Sequence, residues 1–328
     1  RFVCLCILWY SSSALTNTSS KTFLNALDAP VTLTLVQFFF VAAWTALLAQ
    51  LGFIFRLGFL GTSPIRRIDM HVWRATAPMS LFVLGGHLFS SFATSKIPVS
   101  TVHTIKALSP MFTVLAYCLV FRVSYSIGTY ISLVPLTIGV MLACSSSFST
   151  NGNLMGLVCA LGSTLIFVSQ NIFSKHVLFH EKNDEPPSKR LDKLNLLFYS
   201  SFMAFVMMIP IWLLQEYSMV HAASIPWEIY SQLVFNGASH AAQNVLAFTL
   251  LSMVSPVTYS IASLIKRIFV IVVAILWFGQ PTNRTQAFGI TLTALGLFLY
   301  DRAKGDVARG ERRVEKIEAG AALPLSVS

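Results

Sequence analysis

The chain has 328 residues, of which 55% are hydrophobic and only 11% are charged. Because soluble domains carry about 25% charged residues, this composition excludes a soluble globular protein. The mean hydropathy of +0.69 indicates a polytopic membrane protein. In such a protein the net charge of +10 bears on orientation in the lipid bilayer, and we expect no nucleic-acid partner.

Ten segments are apolar enough to cross a hydrocarbon core of about 30 Å, which takes about 20 helical residues. The predicted spans lie at about 2–25, 30–54, 72–94, 98–120, 125–146, 153–176, 194–214, 228–252, 256–279 and 284–302. The first is unusual, because Ser11 to Lys21 reads SSSALTNTSSK. A polar half-helix at membrane depth must face a cavity or other protein.

The loops predict an orientation. One side carries most of the Lys and Arg, namely Arg56, Arg66, Arg67, Arg122, those of the 180–193 loop, Arg302 and Lys304. The other side has Lys96 and Arg284 near its short connections. Because cytosolic loops are enriched in Lys and Arg, the first side is predicted to be cytosolic. Ten spans place both termini on that side.

The segment HEKNDEPPSKRLDK at 180–193 divides the chain near its middle, and we interpret it as a flexible cytosolic linker. Residues 1–179 contain the first five predicted helices and the sixth, and residues 194–304 contain the rest. Residues 305–328 have mixed charge and small side chains, which predicts a disordered cytosolic tail. A boundary between repeats is expected near 147–152.

The two halves of the chain share a pattern. Lys106 is followed by Phe121 and, eighteen residues later, by Gly139; Lys266 is followed by Phe278 and, again eighteen residues later, by Gly296. Five spans per half is an odd number, so the halves point in opposite directions. The predicted fold class is therefore an all-α polytopic membrane protein with ten transmembrane helices in two inverted five-helix repeats.

Three cations lie inside apolar segments. Lys106 is within 99–120, and Lys266 and Arg267 interrupt 261–278. A charge near the bilayer centre costs at least about 2.5–3.5 kcal/mol. No Asp or Glu occupies the centre of a predicted span, whereas proton- and sodium-coupled carriers usually need an intramembrane acid. This inventory favours anion exchange.

Polar residues on four predicted helices accompany the cations. At helical spacing they form shared faces, which comprise His87, Ser90, Ser91 and Thr94; His103 with Lys106; His240, Gln243 and Asn244; and Tyr259 and Ser263 with Lys266. Donors without a buried acid predict a site for a multiply charged oxyanion such as phosphate. The other interpretation is structural: helix–helix hydrogen bonds for the serines and packing for the histidines.

Catalytic and metal chemistry have no motif here. The sequence contains no GxGxxG, Walker A or metal-ligand spacing, and no Ser/His/Asp arrangement stands out. We therefore expect no enzyme activity, no catalytic residue, no metal and no cofactor.

Three segments resemble one family. HTIKALSP (103–110), NIFSKHV (171–177) and SPVTYSIASLIKRIFVIV (255–272) are similar to the triose-phosphate/phosphate translocators of the drug/metabolite transporter superfamily. The resemblance runs from about Tyr10 to Lys304 and implies ten helices in two inverted halves. The sequence AQNVLAF…LLSMVSPVTYSIASLIKR is similar to a fungal, endoplasmic-reticulum branch of this family. It implies an endoplasmic-reticulum or Golgi membrane rather than a plastid.

The resemblance also implies roles for individual residues. The family's phosphate pocket falls on Lys106, Lys266 and Arg267, with matches at His87 and Ser90. The plastid members have a tyrosine before Asn-Gln on the eighth helix, which helps hold the three-carbon substrate. Here that position is Gln243, followed by Asn244-Val245. Phosphate recognition is therefore implied, and triose specificity is not.

The predicted function is an antiporter that exchanges inorganic phosphate with a phosphorylated metabolite by alternating access. The metabolite is a triose phosphate, phosphoenolpyruvate or a sugar phosphate, and the other partner is the lipid bilayer. An empty site would leave three unpaired cations, which predicts strict exchange. The alternatives are a nucleotide-sugar transporter and a non-transporting trafficking or adaptor protein that acts through the tail and the 180–193 loop.

Overall fold

The structure is a computed structural model that describes residues 2–54, 65, 70–120, 122, 124–148, 154–184, 193–222, 225–253, 256–280 and 282–321. Every regular element in these ranges is an α-helix. The helices are α1 Phe2–Ala26, α2 Pro30–Ile54, α3 Met70–Lys96, α4 Val99–Lys106, α5 Ser109–Val120, α6 Ile127–Phe148, α7 Leu154–Asp184, α8 Lys193–Gln215, α9 Tyr217–Ala222, α10 Trp227–Met253, α11 Pro256–Trp277 and α12 Arg284–Ala321.

The all-helical membrane class is confirmed. Helices occupy the ten predicted segments, and a turn at Ala107-Leu108 divides the fourth into α4 and α5. Within the described ranges, five helical segments are long and apolar enough to cross a membrane. They are Pro30–Gly52, Val99–Val120, Ile127–Cys144, Leu154–Phe173 and Leu194–Gln215.

The helices pack in a defined set of pairs. Helix α1 contacts α10 and α11, while α3 contacts α7 and α8. Helix α2 packs on α8 and α10, and α4 packs on α7 and α11. The most extensive pair is α6 with α12. Helix α1 also contacts α3 and α4, and α4 contacts α3, so the helices that carry the predicted site residues form one connected group.

Glycines allow α6 and α12 to approach closely. A Cβ atom added to Gly139 would overlap the backbone of Thr293, and one added to Gly296 would overlap the backbone of Leu136. Gly289 is equally tight against Ala143. Small residues at such contacts are typical of membrane helices, because dispersion rather than the hydrophobic effect drives their association.

The polar half of α1 faces another helix. The Ser12 hydroxyl donates to the Ser239 carbonyl at 2.9 Å, and the Asn236 amide donates to the hydroxyls of Ser19 (2.7 Å) and Ser20 (2.8 Å). Ser239 and Asn236 lie on α10. This segment was expected to face either a cavity or another part of the protein. The contacts of these residues with α10 support the second.

Two predicted segments differ from the structure. Helix α7 runs to Asp184 and α8 begins at Lys193, so both ends of the predicted 180–193 linker are helical, while 185–192 lie outside the described residues. Helix α12 continues to Ala321 through most of the 305–328 segment that we expected to be disordered. That segment is rich in Ala, Glu, Arg and Lys, which are strong helix formers. The expectation of disorder considered mixed charge and small side chains and left helix propensity out.

A distant carboxylate caps α2. The helix starts at Pro30 after Ala29, which has no side-chain acceptor for the first backbone N–H groups. Glu216, 6% exposed at the end of α8, accepts hydrogen bonds from the N–H groups of Val31 (2.9 Å) and Thr32 (2.7 Å) and from the Thr32 hydroxyl (2.7 Å). This cap ties α2 to the α8–α9 junction.

Replacing Glu216 with Gln should lower the free energy of unfolding. One carboxylate oxygen becomes an NH2 group that cannot accept a hydrogen bond, so a buried donor loses its partner at a cost of about 1–3 kcal/mol. Thermal unfolding in detergent measures the change. The control is Glu228→Gln, at an exposed position in the first turn of α10. Equal melting temperatures for the two variants would contradict the capping role.

Candidate functional site

Pro110 shapes the backbone beside Lys106. In a continuous helix the N–H of residue 110 would bond to the Lys106 carbonyl, but proline has no N–H. The regular α-helical pattern ends there: the Ala107 N–H is shared between the carbonyls of His103 and Thr104, each at 3.1 Å, and the Leu108 N–H bonds to the Ile105 carbonyl at 3.0 Å. The Lys106 carbonyl instead accepts a hydrogen bond from Arg267 Nη1 on α11. The Lys-x-x-x-Pro spacing thus provides an acceptor for a cation.

The Lys106 side chain contacts α3. Its ammonium donates to the Ser90 hydroxyl at 2.5 Å. The neighbouring Ser91 is different, since its hydroxyl pairs with that of Thr34 on α2 at 2.8 Å. Ser91 therefore makes a helix–helix hydrogen bond, whereas Ser90 directly contacts a cation.

Lys266 lies against an aromatic ring that no sequence motif singles out. Its ammonium is 4.3 Å from the centroid of Trp9 on α1, which is a cation–π contact. Trp9 is only 1% exposed. An aromatic residue in an apolar run carries no sequence signal of its own, because most such residues pack in the core.

Each of the three cations therefore has a neutral group among its partners. Lys106 has a hydroxyl, Lys266 has a ring face, and Arg267 has among its contacts a backbone carbonyl. This corrects the expectation that an empty site leaves them unpaired. A carbonyl at the end of α4 also carries the partial negative charge of a helix C-terminus, which favours a cation there.

Three predicted histidines lie on α3, α4 and α10. The rings of His87 and His240 meet edge to face with centroids 5.2 Å apart, and Phe38 contacts His87 at 5.2 Å. His103 Nε2 is 2.8 Å from the Asn17 side-chain oxygen, and the Asn17 amide nitrogen donates to the Ser13 carbonyl at 2.7 Å. That second bond directs the Asn17 oxygen to His103, so Nε2 is the donor.

The remaining predicted residues have varied surroundings. The Asn244 amide donates to the His240 carbonyl at 2.9 Å, within its own helix. The Gln243 side-chain oxygen is buried and has no hydrogen-bond partner among the described residues. Ser263 is half-buried one turn before Lys266, and the Tyr259 side chain lies outside the described part of the chain.

Comparison with known proteins decides the family. The profile of the Triose-phosphate Transporter family matches residues 1–301. The chain belongs to this family. As a member it is a transmembrane transporter, which confirms the resemblance found in its motifs.

Two relatives and one solved structure show how similar this chain is to known proteins. The transporter C83.11 of Schizosaccharomyces pombe is 56% identical over 304 residues, which span 92% of this chain and 66% of that protein. Phosphoenolpyruvate/phosphate translocator 1 of Arabidopsis thaliana, a chloroplastic protein, is 30% identical over 91% of this chain and 70% of its own. A crystal structure with a TM-score of 0.54 covers 96% of this chain and 97% of its own at 13% identity, a likeness of fold alone.

Substituting Pro110 with Ala should close the break between α4 and α5. Alanine restores the N–H that competes with Arg267 for the Lys106 carbonyl, and it is about 3 kcal/mol more favourable than proline inside a helix. We expect slower amide hydrogen exchange across residues 105–112 together with slower transport. Pro135→Ala is the matched control, because Pro135 lies inside α6. Unchanged hydrogen exchange in the Pro110 variant would show that the proline does not maintain the break.

Proposed function

We propose that this transporter is an antiporter that exchanges inorganic phosphate with a phosphorylated metabolite. The observation that carries the proposal is the meeting of Lys106, Lys266 and Arg267 on α4 and α11 with neutral partners. A carboxylate partner would compete with an anionic substrate for these charges. A hydroxyl, a ring and a carbonyl leave the positive charge available to an anion that comes and goes.

Phosphate suits this set of groups better than a monovalent anion. Arg267 can give two parallel hydrogen bonds to phosphate oxygens, and each lysine adds a compact positive charge. Ser90 extends the donor set next to Lys106, and His103 lies one turn before Lys106 on α4. His87 of α3 and His240 of α10 contact each other. The plant relative, a phosphoenolpyruvate/phosphate translocator, supports a phosphate-bearing substrate.

The organic part of the substrate is assigned to a second group of residues. Gln243 offers a buried oxygen without a hydrogen-bond partner among the described residues, and Asn244 lies beside it on α10. Tyr259 and Ser263 precede Lys266 on α11. We propose that these four side chains contact the metabolite attached to the phosphate.

We further propose that all ten long helical segments cross the membrane in two inverted repeats. The supporting observation is the symmetry of the contacts. Pairing α1 with α7, α2 with α8, α3 with α10, α4 and α5 with α11, and α6 with α12 turns the α1–α10 contact into the α3–α7 contact. The same exchange turns α2–α10 into α3–α8 and α1–α11 into α4–α7. The Gly139–Thr293 approach likewise corresponds to Gly296–Leu136.

The site also explains the lower hydropathy of several helices. Helices α1, α3 and α10 are not among the five described segments that are long and apolar enough to cross a membrane. Their hydroxyls, amides and rings face one another across the interhelical contacts described above. Polar residues at membrane depth are stable when they face protein rather than lipid.

The proposed membrane is that of the endoplasmic reticulum or the Golgi, with both termini and the 180–193 segment in the cytosol. The fungal relative supports a branch outside plastids. In this orientation Asp28 and Arg302 lie on opposite sides of the membrane. Labelling of single-cysteine variants at these two positions with an impermeant reagent tests this, and equal labelling from one side refutes it.

Lys266→Gln and Arg267→Gln should each abolish phosphate exchange in liposomes while the protein stays folded. Each change removes a charge that the substrate needs, and the loss of a charged hydrogen bond of about 1.5–3 kcal/mol weakens phosphate binding about 10- to 100-fold. The control is Lys96→Gln, which breaks an exposed ion pair with Asp28 at 2.6 Å. Wild-type exchange in either site variant would refute the assigned role.

Exchange should require substrate on both sides of the membrane. Lys106 belongs to the first half and the Lys266-Arg267 pair to the second, so a bound dianion can join the halves when the Arg267–Lys106 hydrogen bond breaks. Liposomes preloaded with phosphate should take up labelled phosphate, and empty liposomes should not. Substantial uptake into empty liposomes would refute strict coupling. Competition by nucleoside monophosphates would instead favour a nucleotide-sugar transporter.

A further inference from the structure

The ammonium of Lys266 rests on a surface that offers no acceptor. Trp9 presents its ring face at 4.3 Å, and the structure gives the ammonium no hydrogen bond to any described residue. The other two cations differ, since the Lys106 ammonium donates to Ser90 and Arg267 Nη1 donates to the Lys106 carbonyl. With respect to the described residues, Lys266 keeps all three N–H donors for another group.

Packing fixes the position of the Trp9 ring. Trp9 is 1% exposed and lies in a cluster with Cys6 of α1, Leu250 of α10 and Ala262 of α11. Tyr10 joins the same region and contacts Phe269 of α11 with ring centroids 6.1 Å apart. A ring enclosed by three helices forms a rigid surface, because buried side chains are close-packed.

We propose that Trp9 is the positioning residue that holds Lys266 in the phosphate site without occupying its donors. The inference rests on the proposed function. The ring attracts the ammonium through the negative charge of its face, which needs no N–H in a particular direction. A serine or a carboxylate in the same place would take donors from the substrate. An aliphatic side chain would leave the long lysine free to move, and its ordering would then oppose binding.

This role affects affinity more than translocation rate. The contact acts on Lys266 both before and during phosphate binding. Losing the contact should therefore raise KM and the dissociation constant for phosphate, with a smaller change in kcat. A purely structural role for Trp9 would lower the amount of active protein instead and leave KM unchanged.

Site-specific incorporation of tryptophans with increasing fluorine content at position 9 tests the inference. Fluorine withdraws charge from the ring face but barely changes its size, so packing is preserved. Calorimetry with inorganic phosphate should give a dissociation constant that rises stepwise with fluorine number. Trp9→Leu should raise it about five- to thirtyfold, the range expected for a desolvated cation–π contact, and Trp9→Phe should fall between.

Trp212 provides the matched control. It lies on α8, where its indole N–H donates to the Thr32 hydroxyl at 2.9 Å. The same fluorination there should leave phosphate affinity unchanged. A flat series at position 9, in protein whose unsubstituted form binds phosphate, overturns the role of Trp9 alone. An unsubstituted protein that does not bind phosphate overturns the proposed function and this inference with it.

Discussion

The arrangement of this protein depends on accommodating the three positive charges of Lys106, Lys266 and Arg267 on largely apolar helices. Neutral groups solve the problem: a hydroxyl for Lys106, an aromatic face for Lys266 and a backbone carbonyl for Arg267. Each is polar enough to stabilise a cation, and none is an anion that would block a charged substrate. Because Pro110 lacks an N–H, the Lys106 carbonyl is available to accept the hydrogen bond from Arg267.

The helix packing serves this arrangement. The α1–α10 contact is built from hydroxyls and amides, and it brings Trp9 and Asn17 of α1 towards the cations and His103. The α6–α12 pair is built differently, from glycines that bring two backbones together. Polar contacts therefore surround the site, and close backbone contacts join the helices farther from it. The Glu216 cap fixes the start of α2 in the same framework.

Some residues of the candidate site could be predicted from the sequence and others could not. Lys106, Lys266 and Arg267 were predicted because a charge in an apolar run is energetically costly. Ser90 was predicted because it shares a helical face with His87, yet periodicity could not separate it from Ser91, which bonds to Thr34 instead. Trp9 and Asn17, which contact Lys266 and His103, were not predicted. A tryptophan among apolar residues and an asparagine among serines gain their meaning only from the neighbours that another helix brings.

The sequence by itself determined the membrane class, the positions of the helices, the cations within apolar segments and the family. These depend on composition and local spacing, which the chain displays directly. The tertiary structure alone decided which groups contact each cation, the packing of the polar half of α1 on α10, and which helices pair. It also decided that α12 extends to Ala321. The physical reason is that a cation's partner is chosen by packing between residues up to 257 positions apart, as with Trp9 and Lys266, and no local pattern records that choice.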